Sequence, residues 1–195
     1  MVFYNNGLLA NPKGLAQKQD TRYLVQNPPQ VYDTYDLDEI YGLDYERDAH
    51  PSYKKQGVIR ALDTIRFSIT THRGCFGNCA FCAISSVQGT RIIDRTEDSI
   101  IREAEEIAAL PDFKGYITDL GGPTANMYGM NEGGKFKISH KRQINLLRKI
   151  RAIKGVKKVF VASGIRYDLI FKDEEYGIEY LKEVAQNHVS GQLKV

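Results

Sequence analysis

Tryptophan is absent from this 195-residue chain, cysteine and methionine occur three times each, and proline six times. No apolar run approaches the roughly 18 residues that a membrane-crossing helix needs. The start, Met1-Val2-Phe3-Tyr4-Asn5-Asn6, lacks the basic and apolar regions of a secretion signal. A formal net charge of +3 is too small to argue for a polyanionic partner. The cysteines are odd in number and lie together between Cys75 and Cys82, which rules out a disulfide framework. Metal or catalytic chemistry in a reducing compartment is the better reading, and the cytoplasm is the expected location.

What is present matches an ordinary globular domain, with 42% hydrophobic and 26% charged residues. The charge is uneven along the chain. Asp33 to Asp48 is acidic and tyrosine-rich, whereas Lys135 to Lys158 is basic, with Lys141, Arg142, Arg148, Lys149, Arg151, Lys154, Lys157 and Lys158 around an apolar pattern of helical period. That pattern reads first as a solvated helix face, and second as a surface for an acidic partner or nucleic acid.

Residues 1–62 read as an irregular N-terminal extension punctuated by Pro12, Gly14, Pro28, Pro29 and Pro51, with one short helical turn from Leu37 to Tyr41. From residue 63 onward strands and helices alternate. Ile65 to Thr71 predicts a strand. A helix capped by Thr96 buries Ile100, Ile101, Ala104, Ile107 and Ala108, and Tyr116 to Leu120 predicts the second strand. After a glycine-rich loop, a helix from about Ser139 buries Ile144, Leu147, Ile150 and Ile153. Val159 to Ala162 is a strand apolar on both faces, Glu174 to Asn187 a third helix, and Gly191 to Val195 the start of a fourth strand. The expected class is α/β with a parallel sheet, open or curved toward a barrel. A final parallel strand with no helix behind it leaves a bare edge, so the chain reads as a fragment of a longer protein.

Cys75, Cys79 and Cys82 have the spacing C-x-x-x-C-x-x-C on a loop that also holds Gly74 and Gly77. Three thiolates on so short a loop can take three corners of a four-iron four-sulfur cubane, leaving the fourth iron open. The competing metal reading adds His72 to make a Cys3His zinc site, which would turn the chain into a zinc-stabilised binding module without catalysis.

These residues resemble the radical S-adenosylmethionine (SAM) superfamily, and within it the YgiQ-like proteins. The likeness extends to Tyr41-Gly42-Leu43, His50-Pro51-Ser52-Tyr53, Ile65-Arg66-Phe67-Ser68, Arg73-Gly74-Cys75-Phe76-Gly77, Arg91-Ile92-Ile93 and Glu97-Asp98-Ser99-Ile100, and covers roughly residues 30 to 195. It implies a partial (β/α)6 TIM-like barrel in residues 63–195, truncated after about the fourth strand, and a 4Fe-4S cluster that cleaves SAM reductively to a 5'-deoxyadenosyl radical for hydrogen abstraction. It also implies a reductant such as flavodoxin or ferredoxin. By the same resemblance Phe81 brings its backbone near the adenine of SAM. Gly121, Gly122, Pro123 and Thr124 stand for the superfamily's Gly-Gly-Glu motif, with Pro123 at the acidic position. There the two glycines allow close backbone approach to a ligand. Ser163 and Arg166, after the third strand, are candidates for the ribose hydroxyls and for the SAM carboxylate or an acidic substrate. For Arg166 a surface ion pair is the plainer reading. The substrate is not encoded in these patterns. An RNA-modifying enzyme of the methylthiotransferase type shares the cysteine spacing, but the small net charge and the lack of an RNA-binding module argue against it.

Overall fold

The computed structural model describes residues 14–28, 32–53, 55, 57–132 and 135–191. Most of the expected fourth strand, from residue 192 on, lies outside the described residues, as do Pro12 and Pro29.

The segment expected to be irregular carries regular elements. β1 (Leu15–Gln19) and β2 (Arg22–Gln26) pair antiparallel, Gln19 opposite Arg22, so that Asp20 and Thr21 alone form the turn. Every ladder residue except Leu15 is exposed, so only the backbone hydrogen bonds and the turn hold this hairpin. The helix α1 (Thr34–Tyr41) begins in a capping box: Asp36 N donates to Asp33 Oδ1 (3.0 Å) and Asp33 N to Asp36 Oδ2 (2.9 Å). Asp38 accepts from Thr96 N at 3.0 Å, which ties this helix to the start of a later one.

Ile65, read as the start of the first strand, instead ends a short helix, α2 (Arg60–Ile65), and is exposed. The strand itself is β3 (Ser68–Thr70), followed by β4 (His72–Arg73), α3 (Ile84–Gln88) and β5 (Ile93–Asp94). Helix α4 (Glu97–Ala108) starts at Thr96, whose Oγ1 accepts from Ser99 N (3.2 Å), with Glu97 and Asp98 at its positive end. It buries Ile100, Ala104 and Ile107 completely. Next come β6 (Tyr116–Ile117), β7 (Asp119–Gly121), a 3₁₀ turn (Ala125–Met127) and the hairpin β8 (Asn131–Glu132) with β9 (Lys135–Phe136). Helix α5 (Lys141–Arg151) and strand β10 (Lys158–Val159) come after them.

The helix expected from about Glu174 to Asn187 is α7 (Gly177–Asn187), and a further short helix that was not expected, α6 (Tyr167–Lys172), precedes it. Asp173 stands between the two helices. Its carboxylate accepts from the backbone of Tyr176 (3.1 Å) and from the distant His140 (2.7 Å), and those bonds hold the chain out of helical geometry between the two segments.

Three strands form one parallel strip, β6 and β7 together making the second. β3 lies beside β7 with Ser68 opposite Asp119, and β6 lies beside β10 with Ile117 opposite Val159. The pairs are stitched together by Thr118 N to Phe67 O (3.1 Å), Phe160 N to Ile117 O (3.0 Å) and Leu120 N to Phe160 O (2.8 Å). The order is therefore first, second, third, an open α/β arrangement with no closed barrel among the described residues. Ile69, Ile117, Leu120, Val159 and Val161 from the strip meet Ile100 and Ile107 of α4, Ile144, Leu147 and Ile150 of α5, and Tyr180 and Val184 of α7 in one apolar core.

Two polar networks brace this core. Arg95, fully buried, pairs with Glu103 and donates to Thr70 O (2.9 Å) and Ser99 Oγ (2.9 Å), while Arg47 pairs with the same Glu103. Three cations of the basic stretch are matched internally: Arg148 with Glu179 and Glu183 (2.9 Å each), Arg151 with Glu183 (3.0 Å) and Lys149 with Glu97. That part of the stretch is therefore bound up in helix-to-helix ion pairs. No helix among the described residues is long and apolar enough to cross a membrane.

Candidate metal and cofactor site

The cysteine loop leaves the parallel strip through β4, which pairs antiparallel with β5, so one short strand separates it from the first parallel strand. It is pinned to the residues around α3: Gly74 N donates to Gln88 Oε1 (3.3 Å), Cys75 N to Gly89 O (3.0 Å) and Ser85 Oγ to Cys75 O (2.9 Å). Gly74 has φ +84, and a Cβ there would fall within the shell of the Arg91 carbonyl oxygen. Only glycine meets both conditions. Gly74→Ala should lower stability by about 2 kcal/mol or more, measured by urea unfolding of the apo chain. An unchanged midpoint would mean that the loop does not hold this turn.

All three cysteines are free thiols; Cys75 is buried, Cys82 half-buried and Cys79 exposed. Gly77 forms their cradle. A Cβ on it would lie 3.3 Å from Cys75 Sγ, 3.6 Å from Cys79 Sγ and 2.6 Å from Arg166 Nη1, so two sulfurs and a guanidinium surround one spot kept open by glycine. Cys75 Sγ also lies 3.4 Å from Thr124 Oγ1. Among the described residues no three or more His, Cys, Asp or Glu side chains gather as a single ion would require. A cubane asks for something else, one thiolate on each of three separate irons, and thiols flanking a glycine-lined opening beside a cation fit an anionic cluster. His72, needed for the zinc alternative, turns elsewhere: its ring packs on Gly122, where a Cβ would meet Cε1 at 2.5 Å, and Nδ1 lies 2.9 Å from Thr71 Oγ1.

The glycine turn stands next to this loop. Gly121, Gly122, Pro123 and Ser163 line one cavity of about 190 Å³ together with Thr70, Arg73 and Asp119. Ser163 Oγ donates to Asp119, whose Oδ1 also accepts from Ala162 N (2.8 Å) and Ser163 N (3.1 Å), which fixes the end of the third strand against the second. Arg166 makes the ion pair expected of a surface arginine, Nε and Nη2 to Asp168 at 2.9 and 2.8 Å, yet Nη1 reaches the cysteine loop. The hydrogen bonds it donates to Asp168, with smaller contributions from Cys79 and Cys75, hold its guanidinium above the ordinary arginine range. Phe81 is 93% exposed and lines neither this cavity nor the larger recess beside Gly77.

Three residues that sequence reasoning passed over organise the site. Asn126 is buried, accepts from Arg166 N (2.8 Å) and donates to Arg166 O (2.9 Å), joining the loop after the second strand to the loop after the third. Its Nδ2 lies 3.1 Å from His140 Nε2, and His140 Nδ1 lies 2.7 Å from Asp173 Oδ2. A neutral His140 that donates from Nδ1 and accepts at Nε2 satisfies every bond in this chain. The partners lie 14 to 40 residues apart, so no local pattern marks them.

Burial lowers three histidines: His72 to about 4, and His140 and His188 below the ordinary value despite hydrogen bonds to Asp173 and to Val159 and Glu183. Each binds its proton more weakly folded than unfolded, so stability is full above about pH 6.5 and is lost as the pH falls toward the folded values. Burial would raise Asp173 and Glu183, but their hydrogen bonds, from His140 and from Arg148 respectively, outweigh it and lower both, adding a loss of the same sign at lower pH. The melting temperature should fall steadily from about pH 6.5 to pH 4. A calorimetric midpoint that rises on acidification would contradict it.

Comparison with known families matches residues 1–68 to the radical SAM N-terminal family and residues 69–194 to the radical SAM superfamily. A UPF0313 protein of Fusobacterium nucleatum subsp. nucleatum is 47% identical across the whole of this chain, which spans 38% of that relative. UPF0313 proteins of Clostridium botulinum (strain 657 / Type Ba4) and Methanocella arvoryzae are each 45% identical over 94% and 93% of the chain, which covers 32% and 33% of their lengths. The chain thus spans about a third of the length of the curated relatives it matches.

Proposed function

Since this chain belongs to the radical SAM superfamily, we propose that Cys75, Cys79 and Cys82 hold a 4Fe-4S cluster and that the turn after the second strand and the loop after the third bind SAM beside it. The observation that carries the reading is the convergence of two thiols and the Arg166 guanidinium on the opening at Gly77. The loaded site supplies one-electron cleavage of SAM to a 5'-deoxyadenosyl radical, which takes hydrogen from a substrate.

The chain's own groups have definite tasks in this reading. Gly121 O already accepts from Thr71 N (2.7 Å) and Thr71 Oγ1 (3.1 Å), so Gly121 shapes the turn while Gly122 presents its carbonyl to the SAM amino group, and Pro123 brings no carboxylate. Ser163 has spent its proton on Asp119 and is left as an acceptor for ribose hydroxyls. Arg166 keeps Nη1 free for the SAM carboxylate. Thr124 orients the buried Cys75 thiolate, and Phe81 contributes its backbone near the adenine. Residues 63–195 carry the site, residues 1–62 precede it, and a low-potential reductant in the reducing cytoplasm serves it.

The test is anaerobic reconstitution with iron and sulfide, followed by visible and paramagnetic-resonance spectra. About four irons per chain, and a reduced spectrum perturbed by SAM, are the expected results. Stoichiometric zinc and no cluster would overturn the reading.

A further inference from the structure

Beside the cysteine loop lies a recess of about 690 Å³. Its apolar part is made by Phe76, Phe136, Ile138 and Leu169, with Phe76 and Phe136 packed edge to face at 4.9 Å. Arg91, Arg166 and Lys172 border it, and among the described residues Asp168 is the one carboxylate lining it. Arg166 neutralises Asp168. Arg91 and Lys172 are both exposed, and neither makes an ion pair among the described residues. Lys135 and Lys137 flank Phe136 along the chain and are exposed too. The inner wall is Gly77, the residue whose open side faces Cys75 Sγ and Cys79 Sγ. The recess therefore adjoins the residue that sits against two of the three cluster thiols.

We propose that this recess is the docking face of an acidic one-electron carrier protein, and that Arg91 and Lys172 steer it. The proposal rests on the function proposed above, which requires a donor. A partly exposed apolar floor with a cationic rim that has no ion-pair partner for Arg91 or Lys172 among the described residues is the shape of a transient electron-transfer contact: small in area, quick to release, and governed by charge in its association rate. Electron transfer weakens steeply with distance, and a carrier seated here lies against Gly77, the neighbour of the Cys75 and Cys79 sulfurs. The carrier is oxidised by one electron and the cluster is reduced by one; no bond is made or broken.

The test uses the reconstituted chain with flavodoxin, an acidic low-potential flavoprotein, as probe. Binding of oxidised flavodoxin is measured by interferometry, and cluster reduction by flavodoxin hydroquinone in an anaerobic stopped-flow instrument. The Arg91→Glu/Lys172→Glu double variant should weaken binding and slow reduction by about tenfold or more at low salt. A Lys154→Glu control, beyond the C-terminal end of α5, should change neither, and dithionite should reduce all three clusters alike. Unchanged binding and rate in the double variant, with dithionite reduction intact, would overturn this docking face and leave the proposed function standing. A wild-type cluster that dithionite itself cannot reduce would overturn the proposed function, and the docking face with it.

Discussion

Replacing Cys75 with alanine should reduce the iron content of the reconstituted chain from about four per chain to near zero. Cys75 is the one buried thiol of the three, with its backbone tied on both sides, N to Gly89 O and O to Ser85 Oγ. Its sulfur is therefore placed before any iron arrives, while Cys79 is exposed and free to adjust. A pre-positioned ligand loses little freedom on binding, so its removal forfeits more than that of a mobile one. Cys79→Ala and Cys82→Ala should also lose the intact cubane, but with residual iron of lower nuclearity. Inductively coupled plasma analysis with sulfide determination reads the result. A Cys75→Ala chain that still holds a four-iron cluster would mean that this cysteine is a packing residue in the small cluster formed by Ile92, Met127, Met130 and Leu169.

Glu103→Ala should cost about 3 to 5 kcal/mol in unfolding free energy. Glu103 is 4% exposed and faces both Arg95, which is fully buried, and Arg47. Removing it leaves a buried guanidinium whose remaining partners, Thr70 O and Ser99, are neutral. The Tyr41 ring, 4.3 Å from the Arg95 guanidinium carbon, offers only a weak substitute. The loss should be uneven, because this network joins α4, the first parallel strand and the Arg47 segment. Urea denaturation measures it, with Glu103→Gln expected to lie between the variant and the parent. A change below about 1 kcal/mol would show that solvent reaches Arg95 in the folded chain.

Much of this architecture was legible in the sequence because its signals are local. Thr96 before an apolar-periodic run, with Glu97 and Asp98 behind it, marks a helix start, and α4 begins there. The cysteine spacing names its chemistry through residues within one loop. What escaped depends on partners far along the chain. The bond from His140 to Asp173, which anchors the chain between α6 and α7, is one such case, and nothing near Asp173 announces it. Asp20-Thr21 is a weak hairpin signal beside Asn-Gly, so β1 and β2 read as irregular. Ile65 has the composition of a strand residue, yet the preceding turn takes it into α2 and leaves it in solvent. The candidate SAM residues were readable one by one; their mutual fixing through Asp119 and Asn126 was not.

That fixing bears on motion. Asn126 holds both backbone groups of Arg166, and Ala125 N donates to Gly164 O (2.8 Å), so the loops after the second and third strands move as one rigid body. Two loops so joined cannot act as separate jaws on a ligand. Freedom of movement is left to the stretch from Gly77 to Ala83, tethered at one end by Cys75 and the packed Phe76 ring and at the other by the start of α3, where Ala80 and Phe81 stand in solvent. Adjustment to an arriving ligand therefore falls to the thiol-bearing segment swinging against a stationary wall, and order parameters for that wall should be the same with and without ligand.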